Sequence, residues 1–365
     1  MNILVLNAGS SSHKLCCYAI PDGLIDGPTA PLAPLWAAQL DWHPKQERVD
    51  INIEASHLTY QTHHAIATRQ ERLASVIQTL WDGPTAVLSS AKEIDAVGHR
   101  VVHGGTDYQQ SVVITAAVKA TIDRLSEWAP VHNPINLEGI ELMEQVLPDV
   151  PQVAVFDTAF HSQMSVVAAT YPGPYAWFEQ GIRRYGFHGI SHQYCAQRAA
   201  QLLNRPLAEL RLVICHLGNG SSLSAVKQGH SIDTTMGFTP LDGLMMGTRS
   251  GAVDPGILVH LMRQGQSADE IDQLLNQESG LKGISGISND LRVIKRAIED
   301  GNPRASLARD LYLHRLKACL GSMIMSLEGL DALIFTAGIG EHSPELRAAV
   351  CSSMAYLGIA LDEKK

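Results

Sequence analysis

The sequence has no run of lysines or arginines, and its 365 residues carry a formal net charge of −9. A protein that binds nucleic acid through the phosphate backbone needs a cationic surface, so this composition argues against that class. No apolar stretch approaches membrane-spanning length, and Ile3 to Leu6 already form a strand-like run with no basic leader before them. We therefore expect a cytoplasmic protein with neither a nucleic-acid nor a membrane partner.

Paired cysteine motifs are also missing. The six cysteines include no CxxC pair, and Cys16, Cys17 and Cys215 stand in apolar runs. Buried thiols in a reducing compartment are the simplest interpretation of this pattern.

The common phosphate-binding and nucleophile motifs are absent as well. The chain contains no GxxxxGK[ST], because no glycine precedes a lysine anywhere, and it contains neither GxGxxG nor GxSxG. These absences exclude a P-loop, a dinucleotide-binding fingerprint and a nucleophile elbow. Any phosphate site in this protein must use another scaffold.

Apolar strands and amphipathic helices alternate along the chain. With 45% hydrophobic and 18% charged residues over this length, two α/β domains are expected. The pattern predicts a strand over Val49 to Glu54 and helices over His64 to Trp81, Thr115 to Trp128, Asn136 to Leu147, Ser191 to Leu203 and Ala305 to Leu327, with a capping box in "SADE" at 267–270.

Two segments share one design, "ILVLNAGSSSHKLCCYAI" near the N-terminus and "RLVICHLGNGSSLSAVKQ" in the second half. In each, apolar residues lead to a polar residue, Asn7 or His216, and then to a glycine and serine tip before a second strand. This is an internal duplication of a hairpin. Backbone N–H groups and serine hydroxyls at such tips make anion cradles, so nucleotide phosphates are the expected ligand. A third glycine loop, Gly338 to Gly340, precedes a helix that Ser343 and Pro344 should begin.

Three charged residues could serve structure or chemistry. Arg100 ends an apolar strand, where an arginine is often part of a structural ion pair. Arg249 lies between glycines with no carboxylate nearby in sequence, which favours a contact with carboxylate or phosphoryl oxygens. Asp157 ends a buried strand, a position that is common for helix caps and also for metal or catalytic carboxylates.

Sixteen histidines are present, so most must be structural. Neighbouring glycines favour functional roles for His188 and His216. Structural roles are expected for His103, His132, His161 and His192.

Nine motifs carry a resemblance over nearly the whole chain. "NAGSSSHK", "GHRVVHGG", "PVHNPIN", "VFDTAFH", "YGFHGISH", "HLGNGSS", "TPLDGLMMGTRSG", "GISGISNDLR" and "TAGIGE" occur in the order seen in acetate kinases. The resemblance implies the fold of acetate and sugar kinases, Hsp70 and actin, with duplicated ribonuclease H-like α/β domains around a nucleotide cleft. We place these actin-like domains at residues 1–160 and 161–365.

The resemblance also implies site residues. Asn7 should face Mg²⁺, or Mn²⁺ in its place, and Lys14 the nucleotide phosphates. Arg100 and Arg249 should face the carboxylate and the transferring phosphoryl group, Asp157 matches the essential acidic residue, and His188 matches the transition-state stabiliser. A small apolar pocket for the methyl group would comprise Val102, Val131, Phe187 and Pro240. The nucleotide loops would comprise His216, Leu217, Gly218, Asn219, Gly220, Asp290, Leu291, Arg292, Gly338, Ile339, Gly340, Glu341 and His342.

The implied reaction is reversible, Mg²⁺-dependent phosphoryl transfer from ATP to acetate, which gives acetyl phosphate and ADP, in a homodimeric enzyme. Acetate is ionised at neutral pH and needs no general base, so Asp157 is better interpreted as a magnesium or water-positioning ligand. Propionate is the next candidate substrate. Two other classes stay open: a nucleotide-binding module without catalysis, and a sugar kinase or Hsp70-like ATPase. The latter is disfavoured by "GHRVVHGG" and "MGTRSG".

Some positions depart from the family pattern. His342 replaces the asparagine of GIGEN, Ala252 replaces an aspartate, His13 replaces an apolar residue and Val131 replaces a leucine. Family members also continue a few tens of residues beyond "YLGIALD". We therefore expect this chain, which stops at Lys365, to lack the last strand, a magnesium-linked glutamate and a covering helix.

Overall fold

The structure is a computed structural model that describes residues 1–9, 12–21, 30–43, 46–55, 58–65 and 68–361. The chain forms two compact units, Met1–Ala159 and Phe160–Lys365. Both are mixed α/β. Within the described residues, no helix has the length and apolar character needed to cross a membrane.

The first unit is built on an eight-stranded sheet of order β5-β4-β3-β2-β1-β6-β8-β7. Strands β1 to β5 form an antiparallel meander, whereas β6 pairs in parallel with both β1 and β8. The strands are β1 (Asn2–Ala8), β2 (Ser12–Ala19), β3 (Trp36–His43), β4 (Arg48–Ala55), β5 (Leu58–Ala65), β6 (Ala96–Val101), β7 (Val112–Val113) and β8 (Gln152–Phe156), and the helices are α1 (Arg69–Gln78), α2 (Ala116–Arg124) and α3 (Asn133–Val146).

Alternating burial along the strands explains how this sheet forms its core. In β3, every second side chain from Trp36 to Trp42 is buried, which leaves the other face half-exposed. Helices α1 and α3 cover the buried face through residues such as Ile77 and Met143. Gly139 of α3 allows this close packing, because a Cβ there would lie 3.1 Å from the Leu6 side chain of β1, which would have to shift.

The second unit has a four-stranded sheet of order β11-β10-β9-β12. Strand β9 pairs antiparallel with β10 and parallel with β12. The strands are β9 (Arg211–Leu217), β10 (Ser221–Lys227), β11 (His230–Thr234) and β12 (Ala332–Thr336). The helices are α4 (Val166–Ala169), α5 (Tyr175–Glu179), α6 (Gly189–Leu203), α7 (Pro255–Arg263), α8 (Ala268–Gln277), α9 (Gly280–Ser285), α10 (Leu291–Glu299), α11 (Pro303–Leu327), α12 (Ala337–His342) and α13 (Pro344–Cys351).

Helices cover both faces of this small sheet, which is why β9 reads as an almost continuous apolar run. Val213 and Cys215 point into a core shared with α11, and Leu212 and Ile214 point into a core shared with α6. Helix α11 begins at Pro303, where the Asn302 side chain accepts hydrogen bonds from the first-turn N–H groups.

Several predicted elements are confirmed. The duplicated hairpins are β1–β2 and β9–β10, both antiparallel. The strand predicted over Val49 to Glu54 lies within β4, the helix over Ala305 to Leu327 within α11, and the capping box at 267–270 begins α8.

Other boundaries were wrong. The helix predicted from His64 begins at Arg69, because Thr68 and Glu71 form a capping box and His64 belongs to β5. Ser191 does not begin α6; the helix starts at Gly189. The residues predicted as a glycine loop, Gly338 to Gly340, form the short helix α12. Strands β3 and β5 were not predicted. Ser10 and Ser11, at the first hairpin tip, lie outside the described residues.

Candidate active site

In the first unit, three polar side chains meet at the edge where parallel strands end. Asn7 is near the end of β1, Arg100 near the end of β6, and Asp157 directly follows β8. The Arg100 guanidinium donates from Nε to Asp157 Oδ2 at 2.9 Å and from NH1 to Asn7 Oδ1 at 3.1 Å. Carboxyl ends of parallel strands share one edge of a sheet, so the topology itself assembles this group.

Asp157 and Arg100 form a nearly buried ion pair. Asp157 is 2% exposed, and its charge raises the pKa of the Arg100 guanidinium above its ordinary value. The structural ion pair considered for Arg100 is therefore present. The pair lies beside Asn7, another predicted site residue, so an ion-pairing role for Arg100 does not exclude a role in the site.

The oxygen atoms at this edge suit a hard divalent cation. Asn7 Oδ1 and the Asp157 carboxylate both accept hydrogen bonds from the Arg100 guanidinium, so the two groups lie close together. Amide and carboxylate oxygens are also the protein ligands that Mg²⁺ prefers. Across the described part of the chain, no three His, Cys, Asp or Glu side chains form a group that could hold a metal ion. Magnesium keeps several waters and needs few protein ligands, so this donor set fits Mg²⁺ better than a transition metal.

The remaining predicted residues of the first unit differ in exposure. Lys14 is exposed on β2, directly opposite Asn7 in the hairpin ladder. Val102 is buried, and its backbone N–H is held by the side chain of Asn136, which also binds the carbonyl of Ala8. Val131 is 55% exposed, so within this unit it is a surface residue.

In the second unit, a histidine pair and an arginine gather around Gly220. The rings of His188 and His216 stack with centroids 4.1 Å apart. A Cβ added to Gly220 would lie 3.5 Å from His188 Nε2 and 3.4 Å from Arg249 NH1. His188 precedes α6 with φ of 58°, a left-handed conformation that is costly for a side chain with a Cβ and is frequent at functional sites.

Arg249 has no anionic partner among the described residues. Its NH1 donates to the carbonyl oxygen of Pro240 at 3.3 Å, and burial lowers the pKa of the guanidinium. Glycines position its backbone: a Cβ on Gly280 would lie 2.8 Å from the Arg249 carbonyl oxygen. A half-buried guanidinium without a carboxylate favours an incoming anion. Phe187, the residue before His188, is fully buried, and Pro240 is half-buried.

A cavity of about 680 Å³ lies in the second unit between the tip of β9–β10 and helices α10, α12 and α13. Its lining includes many of the residues predicted for nucleotide binding: Gly218, Asn219, Asp290, Leu291, Arg292, Gly338, Ile339 and His342. The other predicted residues, His216, Leu217, Gly220, Gly340 and Glu341, do not line it. The Glu341 carboxylate instead accepts hydrogen bonds from Thr336 Oγ1 and the Ala337 N–H, at the start of α12.

Hydrogen bonds fix the shape of this cavity. Asn289 Nδ2 donates to Asn219 Oδ1 at 3.0 Å, which ties the hairpin tip to the start of α10. Asp290 caps α10 by accepting from the Arg292 N–H, and the Arg292 guanidinium lowers the pKa of the Asp290 carboxyl. A Cβ on Gly338 would meet nothing within 4 Å, so this glycine faces open space.

Sequence reasoning missed five lining residues of this cavity: Asn289, Lys295, Ser343, Pro344 and Glu345. Lys295 Nζ and Glu345 Oε1 are 2.7 Å apart, and this ion pair joins α10 to α13. Lys295 follows Leu291 by four residues and so shares its helix face, which is a signal that the sequence already contained.

Two mixed α/β units, a repeated hairpin and a cavity beside the second hairpin agree with the phosphotransferases of the actin-like ATPase fold, the class in which the similar solved structures also fall. The model of the acetokinase family matches residues 2–365. The chain belongs to that family.

Curated relatives and solved structures agree with this placement. The chain is 62% identical to the acetate kinase of Acaryochloris marina, over 99% of this chain and 89% of the relative. It is 58% identical to that of Gloeobacter violaceus, over 100% and 90%. Among solved structures it is similar to an acetate kinase of Porphyromonas gingivalis (TM-score 0.89, 38% identity, 100% and 89% coverage). It is also similar to a propionate kinase of Francisella tularensis (TM-score 0.90, 37% identity, 100% and 90% coverage).

Proposed function

We propose that the protein catalyses reversible, Mg²⁺-dependent transfer of the γ-phosphoryl group of ATP to acetate, which gives acetyl phosphate and ADP. The observation that carries this proposal is the half-buried Arg249 guanidinium, which has no anionic partner among the described residues of its unit and lies beside His188 and Gly220. The names of the curated relatives, acetate kinases at 62% and 58% identity, support the choice of acceptor.

The chemistry asks little of an acid or base. Acetate is an anion at neutral pH, so its oxygen can attack the γ-phosphorus without losing a proton. The barrier comes from bringing two anions together and from the charge on the phosphoryl oxygens in the transition state. Arg249 would supply positive charge there and His188 a hydrogen bond, both from fixed positions.

In the first unit, Arg100 would bind the carboxylate side of the reaction. Asn7 Oδ1 and the Asp157 carboxylate would hold Mg²⁺, or Mn²⁺ in its place, and the exposed Lys14 would reach the nucleotide phosphates. The metal ion, when bound, neutralises charge on the phosphate oxygens of ATP. Asp157 then acts as a ligand rather than as a proton acceptor, in agreement with its contact to Arg100.

The nucleotide would occupy the cavity of about 680 Å³. Leu291 and Ile339 supply its apolar surface, which suits the adenine ring, and Gly338 leaves space for the ligand's approach. His216, Leu217, Gly220, Gly340 and Glu341 would support the neighbouring backbone rather than line the base site. For the methyl group of acetate, the first unit would offer the apolar side chains of Val102 and Val131, and the second unit those of Phe187 and Pro240.

The two compact units would correspond to the two actin-like domains. We also propose a homodimer, because helix α7 buries none of its residues while Ile257, Val259 and Met262 are 49%, 46% and 51% exposed. Six free cysteines agree with a reducing cytoplasm. Sedimentation velocity of the wild type and of Met262→Lys tests the dimer: a monomeric wild type would reject it.

The function is tested by trapping acyl phosphate as a hydroxamate, with ATP, Mg²⁺ and acetate, propionate or no acceptor. We expect hydroxamate only with a carboxylate present. ATP hydrolysis without hydroxamate would indicate a different ATPase, and nucleotide binding without turnover would indicate a module that has lost catalysis. Glucose in place of acetate is the control for a sugar kinase.

A further inference from the structure

One serine hydroxyl joins two histidines in the second unit. Ser222 lies in β10, is fully buried, and stands opposite His216 in the β9–β10 ladder. Its Oγ is 2.9 Å from His188 Nδ1 and 2.8 Å from His192 Nε2. A hydroxyl has one proton to donate, so Ser222 can donate to only one of the two rings, and at least one histidine must be the donor in its bond.

The polarity can be assigned from His192. This residue is fully buried, and its Nδ1 has no hydrogen-bond partner among the described residues. Burial, reinforced by His161 and His216, lowers its pKa well below the ordinary value, so the ring is neutral. A buried N–H without an acceptor costs more than a bare ring nitrogen, so the proton belongs on Nε2, from which it is donated to Ser222.

The second bond follows from the first. Once Ser222 Oγ accepts from His192, its own proton has one remaining partner among the residues that the structure describes, His188 Nδ1. That nitrogen must then be the acceptor, which leaves the proton of a neutral His188 on Nε2. This is the nitrogen that lies beside Gly220 and the Arg249 guanidinium.

We propose that Ser222 and His192 are positioning residues, which hold His188 as the neutral tautomer that carries its proton on Nε2. The proposal rests on the proposed function for its consequence: a neutral Nε2–H donates to the transferring phosphoryl group without placing a second charge against Arg249.

The surroundings of His188 favour a neutral ring. His216 stacks on it at 4.1 Å, Arg249 lies across Gly220, and His161 contacts His192 at a ring distance of 5.6 Å. An imidazolium at His188 would also have to donate from Nδ1, and the buried Ser222 proton would then lose its acceptor.

The test is the tautomer itself, read by long-range ¹H–¹⁵N correlation spectra of the ¹⁵N-histidine-labelled full chain. The His188 signal is assigned by comparison with His188→Gln, since the chain has 16 histidines. We expect Nδ1 of His188 to be unprotonated and Nε2 protonated in the wild type. A protonated Nδ1, in either the neutral ring or the imidazolium, would overturn the proposal. This readout needs no catalysis, so it stands apart from the test of the proposed function.

The variants extend this test. Ser222→Ala should produce a mixture of His188 tautomers and lower kcat about tenfold, the factor that one ordinary hydrogen bond contributes, with little change in KM for ATP. Ser222→Thr, which keeps the hydroxyl, should restore both. The matched control is Ser224→Ala, a buried serine two residues along β10 that binds Ser231 and the carbonyl of Asp233. It should leave the His188 signal unchanged.

A second variant serves if Ser222→Ala does not fold. In His192→Leu, Ser222 is free to accept from His188, so both tautomers should again appear. An unchanged, single His188 tautomer in the folded Ser222→Ala or His192→Leu protein would refute the positioning role. If the variants change the His188 tautomer but the wild type forms no acyl phosphate, the positioning role would stand and the proposed function would be rejected.

Discussion

Arg100 and Arg249 are both predicted site arginines, yet their surroundings are opposite. Arg100 is held by the buried carboxylate of Asp157, which raises its pKa. Within the described part of the chain, the Arg249 guanidinium has the carbonyl oxygen of Pro240 as its hydrogen-bond partner, and burial lowers its pKa. In the first unit the positive charge is compensated within the protein. In the second unit the compensating anion would have to be the ligand.

The two related hairpins show the same division. Across β1–β2 the polar pair near the tip is Asn7 and Lys14, and across β9–β10 it is His216 and Ser222. The first pair offers an amide oxygen and an exposed cation, whereas the second belongs to a hydrogen-bonded network of histidines and serines. One duplicated scaffold therefore presents two kinds of chemistry, and the four predictions below test this contrast.

The largest expected effect is on Arg249. Arg249→Ala should lower kcat/KM for acetate by about 3–4 kcal/mol, because the charge that meets the phosphoryl group is lost. The free energy of unfolding should change little, since no ion pair within the described residues is broken. Steady-state kinetics and denaturant unfolding measure both quantities. Arg309→Ala, which removes an exposed arginine of the same unit, is the control; near wild-type turnover in Arg249→Ala would make Arg249 structural.

Arg100→Ala should behave differently, because it leaves Asp157 buried without its partner. We expect a loss of about 2–3 kcal/mol in kcat/KM and also about 2 kcal/mol in the free energy of unfolding. The unfolding loss is below that of a fully buried pair because the Arg100 side chain is 32% exposed. The double variant Arg100→Ala/Asp157→Asn should recover stability without recovering turnover.

The control for Arg100 is Arg124→Ala, which breaks an exposed pair with Asp107 and should cost less than about 1 kcal/mol. If Arg100→Ala alone kept both activity and stability, the contrast between compensated and uncompensated arginines would not hold.

The third prediction concerns acid sensitivity at the first hairpin. Buried His13 accepts a hydrogen bond from Trp42 Nε1, and burial, with a smaller contribution from Arg69, lowers its pKa from 6.5 to about 4. The neutral ring contributes stability that is complete above pH 6.5 and is lost as the pH falls toward 4, because the unfolded chain binds the proton more tightly.

Unfolding free energies measured between pH 7 and pH 4 should therefore fall by about 2 kcal/mol more in the wild type than in His13→Met. His230→Gln, which replaces an exposed histidine of the second unit, should retain the wild-type slope. If the unfolding free energies of the wild type and His13→Met depended equally on pH, His13 would not be the source of the acid sensitivity.

The smallest effect concerns substrate size. Acetate should have the highest kcat/KM, propionate a lower one and butyrate the lowest. Val131 in place of a leucine leaves space for about one methylene, worth at most ~1 kcal/mol. Val131→Leu should therefore lower kcat/KM for propionate relative to that for acetate. The change should be smaller than ~1 kcal/mol, because Val131 is 55% exposed. A preference for butyrate in the wild type would reject the proposed pocket.

Much of the architecture could be predicted locally, and the failures have local causes too. The alternation of apolar and polar residues identified β4, and the helical spacing of apolar residues identified α11, because each pattern lies within one segment. The helix predicted from His64 was extended too far, because the apolar spacing did not reveal that His64 ends within β5 or that Thr68 and Glu71 cap the helix at Arg69. Helix α12 was predicted to be a loop because glycine is unfavourable in helix interiors. In the structure, the Glu341 carboxylate accepts hydrogen bonds from Thr336 Oγ1 and the Ala337 N–H at the start of the helix.

The sequence by itself determined the α/β class, the duplicated hairpins, the family and the identity of most residues that line the cavity, because these depend on short motifs and periodic patterns. The tertiary structure decided the charge environment of the two arginines and the shared hydroxyl of Ser222. Asp157 lies 57 residues from Arg100 and Ser222 lies 34 residues from His188. Ion pairing and hydrogen-bond polarity depend on distances of about 3 Å between such atoms, and only the packing of strands and helices sets those distances.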